Sequence, residues 1–366
     1  MLSLSNIQTE EFFYDSLITL IGGKTGINLG MYRKAFIEKR IRARMRHVNC
    51  DSYNSYYTYL LTNLDYESEK FKEQFNINYT YFFRNKEVFK KFEDIFMECL
   101  NCKSKIIENE IEEALIDPLK NKEFLNDKLI LRKFHNLLIK NHEAATLFLK
   151  LIFKTKNFLN TFPISQSSLY YKIRFSKESI YIWSCPCASG EEPYSIAMIL
   201  DDLRNQFIKF PNYKITASDI DLNALQKAKK GIYINSMEDI PQLYKVKYFT
   251  KQKEASRYKY ILNEKIKEQI EFICEDVTKG HKYPLKYDII FCRYLLIYFN
   301  RENRKFFLKI IEDHLEEGGL LFLGKTETLF QSNSNLKLID PKYHIYMKIN
   351  ATKNLKENLS FVKKGL

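Results

Sequence analysis

The sequence predicts a doubly wound α/β domain preceded by a small all-α domain, and three observations predict this fold class. The 366 residues exceed the length of one ordinary domain, so two or three domains are expected. Residues 9–75 repeat apolar side chains at spacings of three and four, which is typical of amphipathic helices. From about residue 178 onwards, strand-like and helix-like stretches alternate. Such alternation requires parallel crossovers and a sheet covered on both faces.

The first element of note is a basic amphipathic helix, predicted over residues 33–47. Ile37, Ile41, Met45 and Val48 share one stripe of this helix, because residues four apart project from the same face. Seven cations and one glutamate surround the stripe. A solvated helix face and a docking surface for an acidic partner both explain this charge, and the pattern alone leaves both open.

The later elements follow from the same patterns. A helix-like stretch at 102–170, rich in Lys, Asn, Leu and Glu, is interpreted as accessory. Beyond it, helices are predicted to begin at Pro193, Asn223 and Arg301. The predicted strands are 180–185, 214–219, 270–274, 287–292, 319–324 and 343–348, the last of which alternates in polarity and joins as an added strand.

The composition is that of a globular protein with excess positive charge. Apolar residues make up 45% of the chain, which excludes the disordered class. The 58 Lys and Arg residues outnumber the 45 Asp and Glu residues and give a net charge of +13. This charge favours an acidic partner, but nucleic acid, anionic lipid and acidic protein surfaces all fit it.

The cysteine pattern and the length of the apolar runs indicate where the protein works. Seven cysteines, an odd number, predict unpaired thiols in a reducing cytoplasm. Cys99-x-x-Cys102 and Cys185-x-Cys187 lack a second pair at zinc-ligand spacing, so we predict no metal site. No signal-peptide pattern and no run of 18 apolar residues occurs, so we expect a cytoplasmic protein without a transmembrane segment.

The predicted ligand site lies at the carboxyl ends of the first two strands, where doubly wound sheets bind their ligands. The loop 184–195 lacks the G-x-G-x-x-G phosphate cradle. Its Glu191-Glu192 pair would repel phosphate and suit a cationic sulfonium, although carboxylates also favour any helix N-terminus. Asp219, at the end of the second strand, is placed to accept ribose hydroxyls. Together these residues indicate a nucleoside without phosphates, and S-adenosylmethionine fits that description.

Five sequence blocks, in order, resemble the chemotaxis receptor methyltransferases, the CheR family. They are Asn78-Tyr79-Thr80-Tyr81-Phe82-Phe83-Arg84, residues 183–198 (WSCPCASGEEPYSIAM), Ala217-Ser218-Asp219-Ile220-Asp221 with residues 228–233 (AKKGIY), residues 291–299 (FCRYLLIYF) and residues 318–327 (GGLLFLGKTE). The resemblance implies a class I S-adenosylmethionine-dependent methyltransferase with a Rossmann-like sheet and an added antiparallel strand. It implies methyl transfer to glutamate side chains of chemoreceptor cytoplasmic helices, and we expect a monomer.

The resemblance also implies which residues bind the cofactor. Asn78, Thr80, Arg84, Glu191 and Asp219 match the family's cofactor contacts, and two further pairs occupy matching positions. Asp276-Val277 stands where the family often has Asn followed by an apolar residue. Tyr294-Leu295 stands where Asn-Val is usual. A tyrosine ring in place of the small amide is expected to weaken or rearrange cofactor binding.

The resemblance implies catalytic and docking residues as well. Arg84 is expected to hold the substrate carboxylate or shield the site, and Tyr298 to donate a hydrogen bond to that carboxylate. A surface cation and a core aromatic are the simpler readings of these two residues. For docking on acidic receptor helices, the implied basic helix offers Arg40, Arg44 and Arg46.

The predicted domain organisation combines the patterns with the resemblance. The segments are an all-α domain at 1–76, a linker and cofactor-contacting segment at 77–100, a helical insertion of unknown role at 101–177, a methyltransferase domain at 178–350 and a basic tail at 351–366. Residues 232–270 are predicted to include the small β-subdomain that binds a receptor's C-terminal peptide in some family members.

Two other functions are alternatives to this prediction. Nucleic-acid amino-methyltransferases typically carry an Asn/Asp-Pro-Pro-Tyr-like loop after the fourth strand, whereas this chain has Cys292-Arg293-Tyr294-Leu295 there. We therefore predict no nucleic-acid partner. The alternative that stays open is an adaptor of the same family that docks on receptors or binds S-adenosylmethionine with weak or no turnover.

Overall fold

The computed structural model describes residues 4–75, 79–101, 168–175, 178–208, 210–234, 237–254, 257–280, 285–329 and 335–349. The predicted helical insertion lies outside these ranges except for parts of its two ends, and so does the predicted basic tail.

The N-terminal region is a three-helix domain built on the predicted apolar stripe. Its helices are α1 (Leu4–Thr25), α2 (Lys34–His47) and α3 (Tyr53–Phe75), with a 3-10 turn at Leu29–Met31. Ile37, Ile41 and Met45 of α2 are buried against α1 and α3, as predicted. Val48 ends the stripe and is only partly buried.

The α/β region has a seven-stranded sheet, which confirms the predicted fold class. Its strands are β1 (Ile180–Ser184), β2 (Tyr213–Asp219), β6 (Ile270–Cys274), β7 (Tyr287–Cys292), β8 (Leu315–Leu323), β9 (Leu336–Asp340) and β10 (Ile345–Lys348). The order is β6-β2-β1-β7-β8-β10-β9. The first five of these strands pair in parallel, whereas β10 pairs antiparallel with both β8 and β9.

Helices cover both faces of this sheet. The described helices are α4 (Lys86–Asn101), α5 (Ser168–Phe175), α6 (Glu191–Gln206), α7 (Leu222–Lys230) and α10 (Arg301–His314). Successive strand residues point to opposite faces, so Ile289 and Phe291 join the core under α4, α5 and α6, and Ile290 joins the core under α10. Because β10 and β9 lie beyond β8, the last parallel strand is not an exposed edge of the sheet.

A second, three-stranded antiparallel sheet lies in the range predicted for a β-subdomain. It consists of β3 (Ile232–Tyr233), β4 (Phe249–Glu254) and β5 (Arg257–Leu262) in the order β3-β5-β4. The short helices α8 (Gln242–Tyr248) and α9 (Glu264–Lys267) flank it. Its β4 is exposed along most of its length.

The helical domain rests directly on the large sheet's carboxyl edge. The amide of Arg33 donates to the carbonyl oxygen of Tyr298 at 2.8 Å, and Nε of Arg33 donates to that of Phe299 at 3.1 Å. Met31 joins the buried cluster that contains Val277, after β6. Ile220, after β2, packs against the core of the helical domain. The ends of β2 and β6 are therefore covered by the N-terminal helices.

Candidate functional site

The loop after β1 is folded tightly onto the end of β2. Gly190 has a φ of +93° and caps the N-terminus of α6. A Cβ at this position would lie 2.9 Å from Cβ of Ala228 and 3.0 Å from the Tyr194 ring, so a side chain has no room there. The amide of Ala188 donates to Oδ2 of Asp219 at 2.8 Å, which ties the loop to the second strand.

Asp219 lies where the sequence predicts a ribose-binding carboxylate. It is 6% exposed, and its other oxygen, Oδ1, accepts from the amide of Asp221 at 2.9 Å. Burial raises the pKa of Asp219 to about 6, although the backbone donors oppose that rise. Each carboxylate oxygen keeps a lone pair beyond the one used by the backbone, so the group retains acceptor capacity for hydroxyls.

The two glutamates at the start of α6 have different surroundings. Glu191 is 3% exposed and accepts from the Ser189 hydroxyl at 2.8 Å, and burial raises its pKa. Glu192 instead accepts from the Ser184 hydroxyl at 2.8 Å and pairs with Arg293 at 3.0 Å. The negative charge of Glu192 is thus neutralised within the protein. Of the predicted acidic pair, Glu191 is therefore the carboxylate that can interact with a cationic ligand group.

Asp276 presents an unsatisfied oxygen after β6. Its Oδ1 accepts from the amide and the hydroxyl of Thr278 at 3.0 and 2.6 Å. Its Oδ2 is buried, and no hydrogen-bond donor in the described part of the chain reaches it, although Nζ of Lys279 lies 3.8 Å away. A buried acceptor without a donor is costly, and the amino group of an adenine ring would satisfy it. Val277, beside it, is 8% exposed and supplies apolar surface.

These observations show that the residues present fit S-adenosylmethionine. The buried carboxylates of Glu191 and Asp219 and the buried Oδ2 of the partly buried Asp276 lie along one sheet edge, and such groups suit sulfonium, hydroxyl and amino groups. The tight Gly190 turn offers backbone close to that edge without a side chain in the way. None of these groups is a cation that would favour a phosphate.

The linker carries Arg84 to the same edge. Nη1 of Arg84 donates to the carbonyl oxygen of Tyr79 at 2.7 Å, and its guanidinium lies 3.7 Å from the ring centroid of Tyr294. The amide of Phe83 donates to the Ser195 hydroxyl of α6 at 2.9 Å, which fixes the linker against the first turns of that helix. Thr80 is partly buried on this segment. The predicted contact Asn78 lies outside the described residues.

The loop after β7 is held by a buried carboxylate that the sequence analysis did not single out. Glu327 is 2% exposed, and its oxygens accept from the amides of Tyr294, Leu296 and Gly324 at 2.6, 2.7 and 2.8 Å. Burial raises the pKa of Glu327 against these donors. Leu295, a predicted cofactor contact, lies between two of the anchored residues and is partly buried.

Tyr298 lies where the helical domain meets this loop, in the 3-10 turn Leu296–Tyr298. Its ring centroid is 4.8 Å from that of Phe36 in α2. Burial raises the pKa of the Tyr298 hydroxyl, and the nearby Arg40 and Arg84 oppose the rise. Nε of Arg40 is buried without a hydrogen-bond partner among the described residues. The structure therefore brings together Arg84, Tyr298 and Arg40.

Arg44 is not a docking residue, contrary to the prediction. It is 8% exposed, and its Nε and Nη2 donate to the two oxygens of Glu67 at 2.7 and 2.9 Å. Glu67 is itself fully buried and also accepts from the Tyr56 hydroxyl at 2.9 Å. The side chain of Arg44 thus crosslinks α2 to α3 and is withdrawn from partners. Arg46 is exposed on the same helix.

One aromatic residue of the helical domain, Tyr32, was also missed by the sequence analysis. Its ring contacts Phe299 at a centroid distance of 5.3 Å and Phe75 at 5.0 Å. Burial raises the pKa of Tyr32, and the carboxylates of Asp276 and Asp219 add to the rise. No local sequence pattern relates Tyr32 to the two carboxylates, because residue 32 is far from both in the sequence.

The loop after β1 carries two of the predicted unpaired thiols. Cys185 and Cys187 are buried free thiols, and burial raises the pKa of each, which makes them poor nucleophiles. Within the described ranges, no group of three or more His, Cys, Asp and Glu side chains is arranged to hold a metal ion.

Comparison with known proteins identifies the family. The family model described as CheR methyltransferase, SAM binding domain, matches residues 154–345, more than half of the chain. The model described as CheR methyltransferase, all-alpha domain, matches residues 14–75. The chain belongs to the CheR methyltransferase family. Both modules of the family are present in the order the sequence predicts, and S-adenosylmethionine is the cofactor of the matched domain.

Individual relatives resemble this CheR-family chain to different extents. A chemotaxis protein methyltransferase of Borreliella burgdorferi is 25% identical over 92% of this chain and 94% of its own length. Chemotaxis protein methyltransferase 2 of Vibrio cholerae is 36% identical over 43% of this chain, and the match spans 54% of that relative. The structure of PKMT2 from Rickettsia typhi in complex with AdoHcy aligns with 40% of this chain and 21% of its own, at 14% identity and a TM-score of 0.26.

None of the described helices combines the length and the apolar character that crossing a membrane requires.

Proposed function

We propose that this CheR-family methyltransferase transfers the methyl group of S-adenosylmethionine to glutamate side chains on the cytoplasmic helices of chemoreceptors, in adaptation of bacterial chemotaxis. The observation that carries the proposal is the match of both family modules to one chain. A relative named chemotaxis protein methyltransferase, aligned over 92% of the chain, supports the same role. We further propose that the protein acts in the cytoplasm, where such helices are found.

The chemistry of a glutamate acceptor requires no general base in the site. A glutamate carboxylate has an ordinary pKa of about 4.3, so at neutral pH it is already an anionic nucleophile. S-adenosylmethionine supplies a methyl group activated by its sulfonium charge. Attack by a carboxylate on this group neutralises opposite charges, so orientation and desolvation contribute more than added charge. No catalytic base is therefore needed near Arg84 and Tyr298.

Each residue at the sheet edge has a role in this proposal. Asp219 accepts hydrogen bonds from the ribose hydroxyls, and Oδ2 of Asp276 accepts one from the adenine amino group. Glu191 carries the negative charge that complements the cationic end of the cofactor. Arg84 also contacts the bound cofactor, and together with Tyr298 it orients the substrate carboxylate by donating hydrogen bonds to it. The helical domain excludes water by covering the ends of β2 and β6.

Receptor docking is assigned to the cations of α2 that stay accessible. Arg46 is exposed, and the guanidinium of Arg40 lies 5.0 Å from the ring centroid of Phe36, which is 4.8 Å from that of Tyr298. Acidic receptor helices are the complementary partner because opposite surface charges steer association and fix orientation.

The glutamate specificity is tested by transfer of a tritiated methyl group from S-adenosylmethionine to a purified chemoreceptor cytoplasmic fragment. We expect label that base releases as methanol, as an ester does, and that is lost when the receptor's acceptor glutamates are replaced by alanine. A protein that binds S-adenosylhomocysteine in calorimetry but transfers no base-labile label would refute the proposal and leave the adaptor role.

The docking assignment is tested by reversing charge on α2. Arg46→Glu is expected to raise the KM for the receptor fragment several-fold and to leave the affinity for S-adenosylhomocysteine unchanged, because the residue is remote from the cofactor carboxylates. Lys230→Glu is the matched control, since Lys230 is an exposed cation at the end of α7. Equal KM values for the two variants would remove Arg46 from the docking surface.

A further inference from the structure

The linker that carries Arg84 is fastened to the loop after β7 by a buried arginine. Arg293 is 4% exposed, and its Nη2 donates to the carbonyl oxygen of Arg84 at 2.7 Å and to Oδ1 of Asn85 at 2.6 Å. Its Nη1 pairs with Glu192 at 3.0 Å. The linker, the loop after β7 and the start of α6 therefore share one charged hydrogen-bond network.

Tyr294 adds a second attachment to the same linker. Its ring lies under the guanidinium of Arg84 at 3.7 Å from the ring centroid, well inside the range of a cation–π contact. Its hydroxyl donates to Oδ1 of Asn85, the oxygen that also accepts from Arg293. One side chain thus holds both Arg84 and its neighbour.

The backbone of Tyr294 adopts a conformation that is unfavourable for an aromatic residue. Its φ is +63°, in the left-handed region that glycine and asparagine enter more readily than an aromatic residue. Glu327 holds the amide of Tyr294 in this position at 2.6 Å. A Cβ on the opposing Gly324 would lie 3.0 Å from the Tyr294 ring, so the ring is also confined on that side.

We propose that Tyr294 is a positioning residue, whose ring and hydroxyl latch Arg84 and the linker onto the methyltransferase site. The asparagine that usually occupies this position is too short to lie under Arg84 and reach Asn85 at once. In this chain Tyr294 therefore acts through Arg84, in place of the direct cofactor contact expected from the sequence. The effect of Tyr294 on the site rests on the proposed methyl transfer. The attachment of the linker itself is measurable without cofactor.

The latch is tested first by amide hydrogen exchange of the segment 79–88 in the protein without added cofactor. Tyr294→Leu removes the ring and the hydroxyl, and we expect exchange of this segment at least about tenfold faster than in the wild type. Tyr294→Phe keeps the ring under Arg84 and should restore most of the protection. The control is Tyr66→Leu, which removes an exposed tyrosine with a lysine over its ring on α3. Wild-type exchange in Tyr294→Leu would overturn the proposal.

The effect on the site is tested by a double-mutant cycle on the calorimetric affinity for S-adenosylhomocysteine. If Tyr294 acts through Arg84, then Arg84→Ala and Tyr294→Leu each weaken binding about tenfold, and the double variant is no weaker than either. Effects that multiply to about a hundredfold would overturn the inference, because the two residues would then act independently. A wild-type protein that binds no S-adenosylhomocysteine would refute the proposed function, and the exchange experiment would still decide on the latch.

Discussion

Removal of the Arg44 guanidinium is expected to destabilise the helical domain strongly. In the structure this group makes two charge-assisted hydrogen bonds, at 2.7 and 2.9 Å, to a carboxylate that is fully buried. The Arg44→Met variant leaves the Glu67 carboxylate buried with the Tyr56 hydroxyl as its donor. Breaking a buried pair in this way typically costs about 3–5 kcal/mol of unfolding free energy, because the remaining charge is uncompensated.

Urea denaturation followed by circular dichroism at 222 nm measures this loss as a lower first unfolding midpoint. Arg46→Met is the matched control, because it removes an exposed arginine from the same helix and should change the unfolding free energy by less than about 0.5 kcal/mol. The double variant Arg44→Met with Glu67→Met should regain most of the loss, since apolar residues often replace a buried pair without cost. An Arg44→Met variant as stable as Arg46→Met would refute a structural role for Arg44.

Three further predictions concern the cofactor edge. The pKa of Asp219 is raised to about 6, so it protonates as the pH falls from 7 to 5, and affinity for S-adenosylhomocysteine should fall with it. Calorimetry on Asp219→Asn should lack this pH dependence, and a flat wild-type profile would contradict the ribose role. Gly190→Ala should cost about 1–3 kcal/mol in urea denaturation because of its φ of +93°, whereas Gly23→Ala, with no neighbour within 4 Å of the added Cβ, should not destabilise. Asp276→Ala should weaken S-adenosylhomocysteine binding about tenfold, and Lys279→Ala less than twofold; equal losses would remove the adenine contact.

Some of what the sequence analysis missed was present in the sequence as helical spacing. Arg44 lies seven residues after Ile37 and Glu67 four residues before Phe71, so both charges occupy the buried face of their helices. A charge at an apolar-face position on each of two neighbouring helices indicates a buried ion pair. The prediction of Arg44 as a docking residue was based on its charge and did not consider its position on the apolar face of the helix.

Other features have no local signal. The pairing of Glu192 with Arg293 joins residues that lie 101 positions apart, and the contact of Tyr32 with Phe299 depends on how the two domains meet. The strands of the parallel sheet were predicted to within a few residues because they are continuous apolar runs. The edge strand β9 was not predicted, although Leu336, Leu338 and Ile339 are apolar, because a pattern of only five residues does not distinguish a strand from a loop.

The two helices that border residues 102–167 meet within the fold. Leu169 and Ile173 of α5 belong to the same buried cluster as Phe92 and Phe96 of α4, so the two bordering helices pack as neighbours. The sheet and its cover are therefore closed at this junction by contacts among the described residues alone. The chain therefore leaves and re-enters the described fold at one place, without opening the core that supports the site.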